Sequence, residues 1–423
     1  MESPIMSRLI SLLGIIVMLL AARLIGKRGK KVNWTIVGWG LLLQFVFAAL
    51  ILKTASGHWV FSKINDAVTN LLAFQEEGGK FVFNALAIPP SQVGSMGFFF
   101  AFQVLPSVIF LSSLMSIFYY MGIMQWVILR VARLMKHACR TSGAETLNAA
   151  ANIFMGQTEA PLLVKPYLEN MTESELFCVM VAGMATISGG VMIAYVGLLK
   201  AYLPDIAGHL LAASVLSAIG SLVISKLIIP ETQTPETIDF VPIVKPDADS
   251  NVLEAAAGGA ETGLKLALNV AAMLIAFMAI LAMINSGLHA FFGFFGRPDI
   301  GLEFLLGRAL SPVAWILGVP WKDCRTIGFL MGEKTILNEF VAYTDMAKIL
   351  ASNSVGFLAV RSQIIATYAL CGFSNLLSIG IQIGGIGTLA PGRRKDLARL
   401  GIYAWIAGSL TCFLSAAIAG LLI

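Results

Sequence analysis

The sequence predicts an all-α polytopic membrane protein with about eight transmembrane helices, two re-entrant helical hairpins, an interfacial helix and an inverted repeat. Three observations carry that prediction. The 423 residues are 57% hydrophobic and 13% charged, with a mean hydropathy of +0.83, whereas soluble domains carry about 25% charged residues. Apolar runs of ~20 residues recur, the length that crosses the hydrocarbon layer. Two apolar regions also carry a carboxylate in a polar break. A charge at membrane depth costs roughly 2.5–3.5 kcal/mol and marks a functional site by default.

The same numbers exclude other classes. A net charge of +5, spread over loops, reads as cytoplasmic Lys and Arg rather than as a basic nucleic-acid-binding face. Cys139, Cys178, Cys324, Cys371 and Cys412 show no CxxC or Cys/His spacing, so neither a metal cluster nor a disulfide framework is expected, and they read as small core residues. The first apolar run has full spanning length and precedes a basic cluster, which reads as a retained span and not a cleaved signal.

In chain order, Leu9 to Ile25 is a first span, and the cluster Gly26-Lys27-Arg28-Gly29-Lys30-Lys31 places the following loop in the cytoplasm. Trp34 to Leu52 is a second span. His58 to Phe83 mixes apolar residues at spacings of three and four with Lys63, Asp66, Asn70, Glu76 and Glu77, which fits an amphipathic helix in the interface. Gly97 to Tyr120 is a third span. Met121 to Leu134 stays apolar but is interrupted by Arg130 and Arg133, and Lys136, His137 and Arg140 follow.

Ala144 to Val164 is the first hairpin. Its arms, Ala144–Met155 and Ala160–Val164, are each too short to cross alone. Between them, Gly156-Gln157-Thr158-Glu159-Ala160-Pro161 combines helix breakers with hydrogen-bonding side chains. Leu176 to Leu199 is a span with a soft middle at 183–190, and His209 to Ile229 is an intact span. Pro230 to Ser250 is a polar cytoplasmic loop. Leu264 to Leu288 is a span, and Phe291 to Trp321 reads as extracytoplasmic loop and interfacial structure. Asp323 to Leu350 is the second hairpin, with Leu337-Asn338-Glu339-Phe340 at its break. Val355 to Gln382 is a span with a soft middle at 371–378, and Leu400 to Leu422 is the last span.

The basic stretches at 27–31, 130–140 and 393–399 share one side only if the chain crosses eight times and both hairpins are re-entrant, with both termini extracytoplasmic. Residues 144–229 and 323–422 repeat one order: hairpin, broken span, intact span. Paired interrupted segments in two halves point to a transporter site at the repeat interface.

The polar groups at the four breaks are Gln157, Thr158 and Glu159; Thr186 and Ser188; Asn338 and Glu339; and Ser374, Asn375 and Ser378, with Phe373 beside them. Amides, hydroxyls and two carboxylates, without a converging Arg or Lys pair, suit a neutral, hydroxyl-rich ligand with a flat ring and not a phosphate. The competing structural readings are specific. Lys165 could neutralise Glu159, and Lys334 or Arg361 could neutralise Glu339. Ser188 and Ser374 could bond backbone, Asn148 could support Asn152, and His58, His137, His209 and His289 fall near membrane edges.

The blocks Gly156-Gln157-Thr158-Glu159-Ala160-Pro161, Leu337-Asn338-Glu339-Phe340-Val341-Ala342-Tyr343 and Cys371-Gly372-Phe373-Ser374-Asn375 resemble, in order and spacing, the concentrative nucleoside transporter family. The resemblance covers almost the whole chain. It implies a multi-pass protein of the cell membrane, bacterial inner membrane by its short loops, that takes up nucleosides (uridine or another pyrimidine nucleoside) with sodium by an elevator motion, as a homotrimer. It also implies scaffold segments at 1–135 and 262–320 and a transport domain built from 140–232 and 322–423. By the same resemblance Gly156, Gln157, Thr158 and Glu159 face the nucleobase, with Val191 nearby. Glu339, Asn375 and Ser378 face the ribose, and Phe373 lines the pocket. Sodium sits on the side chains of Asn152 and Thr186 and the carbonyls of Met155 and Ile187. Proton coupling is the alternative, and the retained Thr158 and Glu159 favour sodium. Two readings from other classes are a channel and an intramembrane hydrolase. The hydrolase would use Gly372-Phe373-Ser374, yet no His follows His289 to serve as its base.

Overall fold

The computed structural model describes residues 4–26, 31–89, 92–241, 250–352 and 358–423. Four expectations reach outside these residues: positions 27–30 of the first basic cluster, 242–249 of the polar loop, 355–357 at the start of a span, and the side chain of His58.

The first spans form as the apolar runs dictate. Helix α1 is Pro4–Ile25, and α2 is Trp34–Lys53, begun by Asn33, whose side chain accepts from the Thr35 N–H. The amphipathic stretch is α3, Ala55–Phe83. It buries Phe61, Val68 and Leu72 on one face and exposes Trp59 and Phe74 on the other, as an interfacial helix requires. The short α4, Phe100–Gln103, runs into α5, Leu105–Tyr120. Gly122, at φ +76°, then lets the chain turn into α6, Ile123–Cys139.

Both halves begin with a hairpin that never completes a crossing. In the first, Ser142 and Glu145 form a reciprocal capping box that starts α7, Gly143–Ala151. The chain turns through 152–159 and returns as a 3₁₀ segment, Ala160–Val164, and the single turn α8, Lys165–Leu168. The return arm is thus 3₁₀ before a single α turn, and Pro166, which has no N–H to donate back into it, keeps the two from joining as one α-helix. The broken span follows as α9, Glu173–Ala185, and α10, Gly189–Leu199, then the intact α11, Ile206–Ile228.

Helix α12 spans Val252–Gly293, 42 residues, where the hydropathy pattern predicted a span at 264–288. At 1.5 Å per residue it is about 63 Å long, roughly twice the hydrocarbon thickness, so it projects well beyond the bilayer. It packs on α5 through Gly259 and Gly263, four residues apart. A methyl group on Gly259 would meet Ser116 Cβ at 2.6 Å and Ser112 O at 2.7 Å. Small residues at that spacing let membrane helices approach closely.

The loop and interfacial structure expected at 291–321 takes the form of α13, Leu302–Ile316, bent by 116° onto the next helix at Gly318, where φ is +94°. The second half then proceeds as α14, Trp321–Ile336; α15, Glu339–Ala351; the broken pair α16, Val360–Leu370, and α17, Leu376–Leu389; and α18, Arg394–Leu422. Most of the basic stretches at 130–140 and 393–399 are accordingly helix ends and not loops: α6 continues to Cys139 and α18 starts at Arg394.

Among the described residues, seven helices are long and apolar enough to cross a membrane, or eight counting the bent pair. The broken pair α16–α17 supplies the crossing expected between the second hairpin and α18. Three crossings, α9–α10, α11 and α12, separate the two hairpins, and an odd number places them on opposite sides, which inverts the repeat. The core is the packed block of α9, α11, α16 and α18, where every residue from Leu176 to Ile187 is buried. All five cysteines are buried.

Candidate functional site

Each helix restart inside the bilayer needs its first N–H groups satisfied without water. The sequence supplies a capping side chain at each restart. Ser188 Oγ accepts from the Val191 N–H at 3.4 Å, Asn338 Oδ1 from Val341 at 2.9 Å, and Asn375 Oδ1 from Ser378 at 3.0 Å. These polar residues thus begin α10, α15 and α17, and the three helix starts share one cavity of about 190 Å³. Their positive dipole ends favour electron-rich ligand groups there.

The cavity gathers every residue expected at the substrate site. Gly156, Gln157, Thr158 and Glu159 come from the first hairpin, Val191 from α10, Glu339 from α15, and Phe373, Asn375 and Ser378 from the second broken span. The two hairpin tips therefore meet although 180 residues of sequence separate Glu159 from Glu339. Ser188 and Asn338 also line the cavity. Ser374 is fully buried, with its hydroxyl against Cys412 Sγ at 3.8 Å.

The two carboxylates are held differently. Glu339 is buried, and its Oε1 accepts from Tyr195 OH at 2.9 Å while Oε2 accepts from Asn375 Nδ2 at 3.0 Å. Among the described residues neither suggested cation bonds to it directly. Lys334 donates to the Ala369 carbonyl at 3.0 Å, and Arg361 donates to the Gly318 and Ser7 carbonyls. Glu159 is exposed to the cavity, and its Oε2 turns back to accept from the Gly156 N–H at 3.0 Å. Among the described residues Lys165 forms no ion pair with it.

The amide of Gln157 is fixed from two sides. Its Nε2 donates to Ser378 Oγ at 3.1 Å, and its Oε1 accepts from Gln382 Nε2 at 3.2 Å. Gln382 also donates to the Met180 carbonyl at 2.9 Å. Gly183 makes this approach possible, because a methyl group there would meet Gln382 Nε2 at 2.8 Å and Gln157 Cβ at 2.9 Å.

The residues expected to hold sodium lie at two adjoining turns, 152–155 and 186–187, joined where the Gly189 N–H donates to the Phe154 carbonyl at 2.8 Å. Asn152 is fully buried. Its Nδ2 donates to the Asn148 carbonyl at 2.9 Å, and its Oδ1 has no partner among the described residues. Thr186 Oγ1 spends its proton on the Ala182 carbonyl at 2.9 Å, which leaves its lone pairs available. A buried, unpartnered amide oxygen beside a hydroxyl oxygen and unwound carbonyls is the donor set a hard cation takes. Asn148 supports Asn152 through its backbone; its own side chain reaches the Val179 carbonyl at 3.4 Å.

Three further contributors surround the cavity. Tyr195 and Gln382 form the layer behind the cavity. A tyrosine in an apolar helix, whose hydroxyl needs a partner, and an amide one turn after Ser378 were the available signals. The wall formed by Leu266, Asn269, Val270 and Met273 of α12 carried one signal, the lone amide Asn269. His209, expected at a membrane edge, packs edge-on to Phe61 at 5.3 Å between centroids.

Comparison with known proteins agrees with this architecture. Family models match at three places: "Na+ dependent nucleoside transporter N-terminus" over residues 13–86, "Nucleoside recognition" over 101–202, and "Na+ dependent nucleoside transporter C-terminus" over 209–420. An "Uncharacterized transporter" of Haemophilus influenzae is 44% identical, covering 99% of this chain and 98% of the relative. "Sodium/nucleoside cotransporter 1" of Rattus norvegicus is 40% identical over 98% of this chain and 64% of its own length. The chain spans about three fifths of the length of the vertebrate relatives it matches. A solved structure described as "Structure of CNTnw in an inward-facing substrate-bound state" superposes with TM-score 0.92 at 42% identity, covering 98% of both chains.

Proposed function

This chain belongs to the Na+ dependent nucleoside transporter family, and from that premise we propose that it is a sodium-coupled nucleoside symporter working by an elevator-type alternating-access motion. One observation carries the reading. Glu339, Asn375, Ser378 and Gln157 form a single hydrogen-bonded chain across both hairpin halves, inside a cavity whose other walls pair the polar Thr158, Glu159 and Asn269 with the apolar Val191, Leu266, Val270 and Phe373.

In this reading the nucleobase lies against Gln157, Thr158 and Glu159, with Val191 packing beside it. The ribose hydroxyls donate to Glu339, which keeps lone pairs free beyond those used by Tyr195 and Asn375, and they approach Asn375 and Ser378. Phe373 lines the pocket. Gln157, held by Gln382, presents its remaining N–H, and a carbonyl-bearing pyrimidine such as uridine matches that donor.

Sodium is cotransported cargo in this scheme, held by Asn152, Thr186 and the Met155 and Ile187 carbonyls. Each half of that cage directly precedes a substrate-facing segment, 156–159 in one case and 188–191 in the other. A cation that orders both turns therefore orders both sides of the nucleobase site, which is the physical basis proposed for coupling. One cation crossing 100 mV contributes about 2.3 kcal/mol and a tenfold gradient about 1.4 kcal/mol. Together they support roughly 500-fold accumulation for one sodium per nucleoside.

The moving unit would be 140–232 with 322–423, and the scaffold 1–135 with 262–320, in a homotrimer in the bacterial inner membrane. Because α12 of the scaffold walls the cavity, sliding the hairpin block along it would change the side from which the ligand is reached.

Uptake of labelled uridine into proteoliposomes, with sodium and proton gradients imposed separately, tests the proposal. Accumulation only under an inward sodium gradient is expected. Accumulation under a proton gradient alone would overturn the sodium assignment, and no saturable uptake of any nucleoside would overturn the transport reading.

A further inference from the structure

A second groove, unlike the substrate cavity in chemistry and sharing no lining residue with it, lies where α6 meets the start of the first hairpin. Helix α6 buries Met124, Ile128, Ala132, Met135 and Cys139, and so its charged residues face outward. Arg140 ends the helix in a left-handed conformation, φ +54°. The chain that follows α11 folds back over this point. The Gly143 N–H donates to the Thr237 carbonyl at 2.8 Å, and the Ala144 N–H donates to Thr237 Oγ1 at 2.9 Å.

Between these segments is a cavity of about 780 Å³. Arg133, Lys136, His137 and Arg140 line it, with Asp239 as the one carboxylate. Among the described residues none of the four basic side chains forms an ion pair within 4 Å, with Asp239 or with any other acid. Three permanent cations left unpaired around one concavity make an anion site by charge alone. The rim adds a second property. Trp39, Ile238 and Phe240 border the groove and are 49%, 37% and 45% exposed. Ile238 and Phe240 lie outside any helix, and Phe240 keeps its exposed face while packing edge-on to Tyr167 at 6.3 Å between centroids. Trp39 lies in the first two turns of α2, after the basic cluster, at the depth of the cytoplasmic headgroups.

We propose that this groove holds the phosphate headgroup of an anionic phospholipid of the cytoplasmic leaflet. Arg133, Lys136 and Arg140 take the phosphate, and the acyl chains leave along Trp39 and the outer face of α2. A free phosphate would use the cations but not the apolar rim, and the rim decides for the lipid. Basic pockets beside membrane helices on the cytoplasmic side select anionic headgroups in this way. The lipid would also brace the joint at Thr237 and Gly143, where the first hairpin leaves the preceding helices.

The test measures retention of phosphatidylglycerol on the detergent-purified protein, by native mass spectrometry and by the shift in melting temperature, with phosphatidylcholine and inorganic phosphate as comparison arms. Phosphatidylglycerol should be retained and stabilising, and the other two should not. Each juxtamembrane cation contributes about fivefold to such binding, so the triple variant Arg133→Gln, Lys136→Gln, Arg140→Gln should bind roughly a hundredfold more weakly. Its elution profile and melting temperature in phosphatidylcholine alone report on the fold. A second variant, Asp239→Asn, removes the groove's carboxylate and should strengthen retention. Equal retention of phosphatidylglycerol by the triple variant, equal stabilisation by phosphatidylcholine, or stabilisation by inorganic phosphate at the same concentration would each overturn the assignment.

Discussion

Gln382 Nε2 donates to Gln157 Oε1 at 3.2 Å, joining the second broken span to the tip of the first hairpin. With its companion bond to the Met180 carbonyl, at 2.9 Å, it sets which edge of the Gln157 amide faces the cavity. A residue with no place on the cavity wall thus fixes the donor and acceptor pattern presented to a ligand.

Gln382→Ala should therefore weaken uridine binding although Gln382 does not line the cavity. Leaving the Gln157 carbonyl unpaired costs about 1–3 kcal/mol, or roughly 5- to 150-fold in affinity. The half-saturating uridine concentration in proteoliposome uptake measures it. An unchanged value would show that Gln157 is oriented without Gln382.

Glu339→Gln should impair uptake more severely, because it replaces a charge-assisted acceptor worth about 1.5–3 kcal/mol. Tyr195→Phe removes only one of the two bonds that hold the carboxylate and should cost less, about 1 kcal/mol. Competition by 2′,3′-dideoxyuridine should be poor in the wild-type protein. Wild-type-like competition by that analogue would remove the ribose hydroxyls from the proposed partners of Glu339.

Thr186→Ala and Asn152→Ala should each raise the sodium concentration needed for half-maximal uptake. Uridine affinity at saturating sodium should change little. The measurement is a sodium titration at fixed uridine, and an unaltered midpoint in both variants would relocate the cation.

A fourth expectation concerns stability. Lys226 Nζ lies 2.7 Å from Glu145 Oε2, with both side chains almost fully buried, and it also donates to Ser174 Oγ at 2.9 Å. This cluster ties the end of α11 to the starts of α7 and α9. Lys226→Met leaves Glu145 buried without its cation, a loss of about 3–5 kcal/mol. Adding Glu145→Gln should restore part of the lost melting temperature. A single variant as stable as the wild type would show that the pair contributes nothing.

Much of this was legible in the residues because the bilayer enforces strict rules. Apolar runs of spanning length gave α2 to within a residue and the C-terminal ends of α1, α11 and α18, whose first turns extend beyond the apolar runs. The two carboxylates stood out because charge in hydrocarbon is costly unless it serves a site. Less was legible where a feature depends on what faces it. The 42-residue α12 was cut short at its start because its first twelve residues, with Glu254 and Glu261, are too polar to read as a span. Helix α13 was legible only as unspecified interfacial structure, because Arg308 and the helix-interior Pro312 interrupt its apolar pattern.

The sequence by itself determined the solvent of this chain, its repeated order of hairpin, broken span and intact span, and the residues at each break. Those properties follow from local hydropathy and from which side chains interrupt a helix. Tertiary structure alone decided that Tyr195 and Asn375 are the side chains that bond Glu339 directly, and that Gln382 orients Gln157. It also decided that Ser188, Asn338 and Asn375 are spent partly on capping. A buried polar atom must be satisfied by whatever group packing brings within hydrogen-bonding reach, and that partner is set by the meeting of two distant segments, not by the pattern of either one.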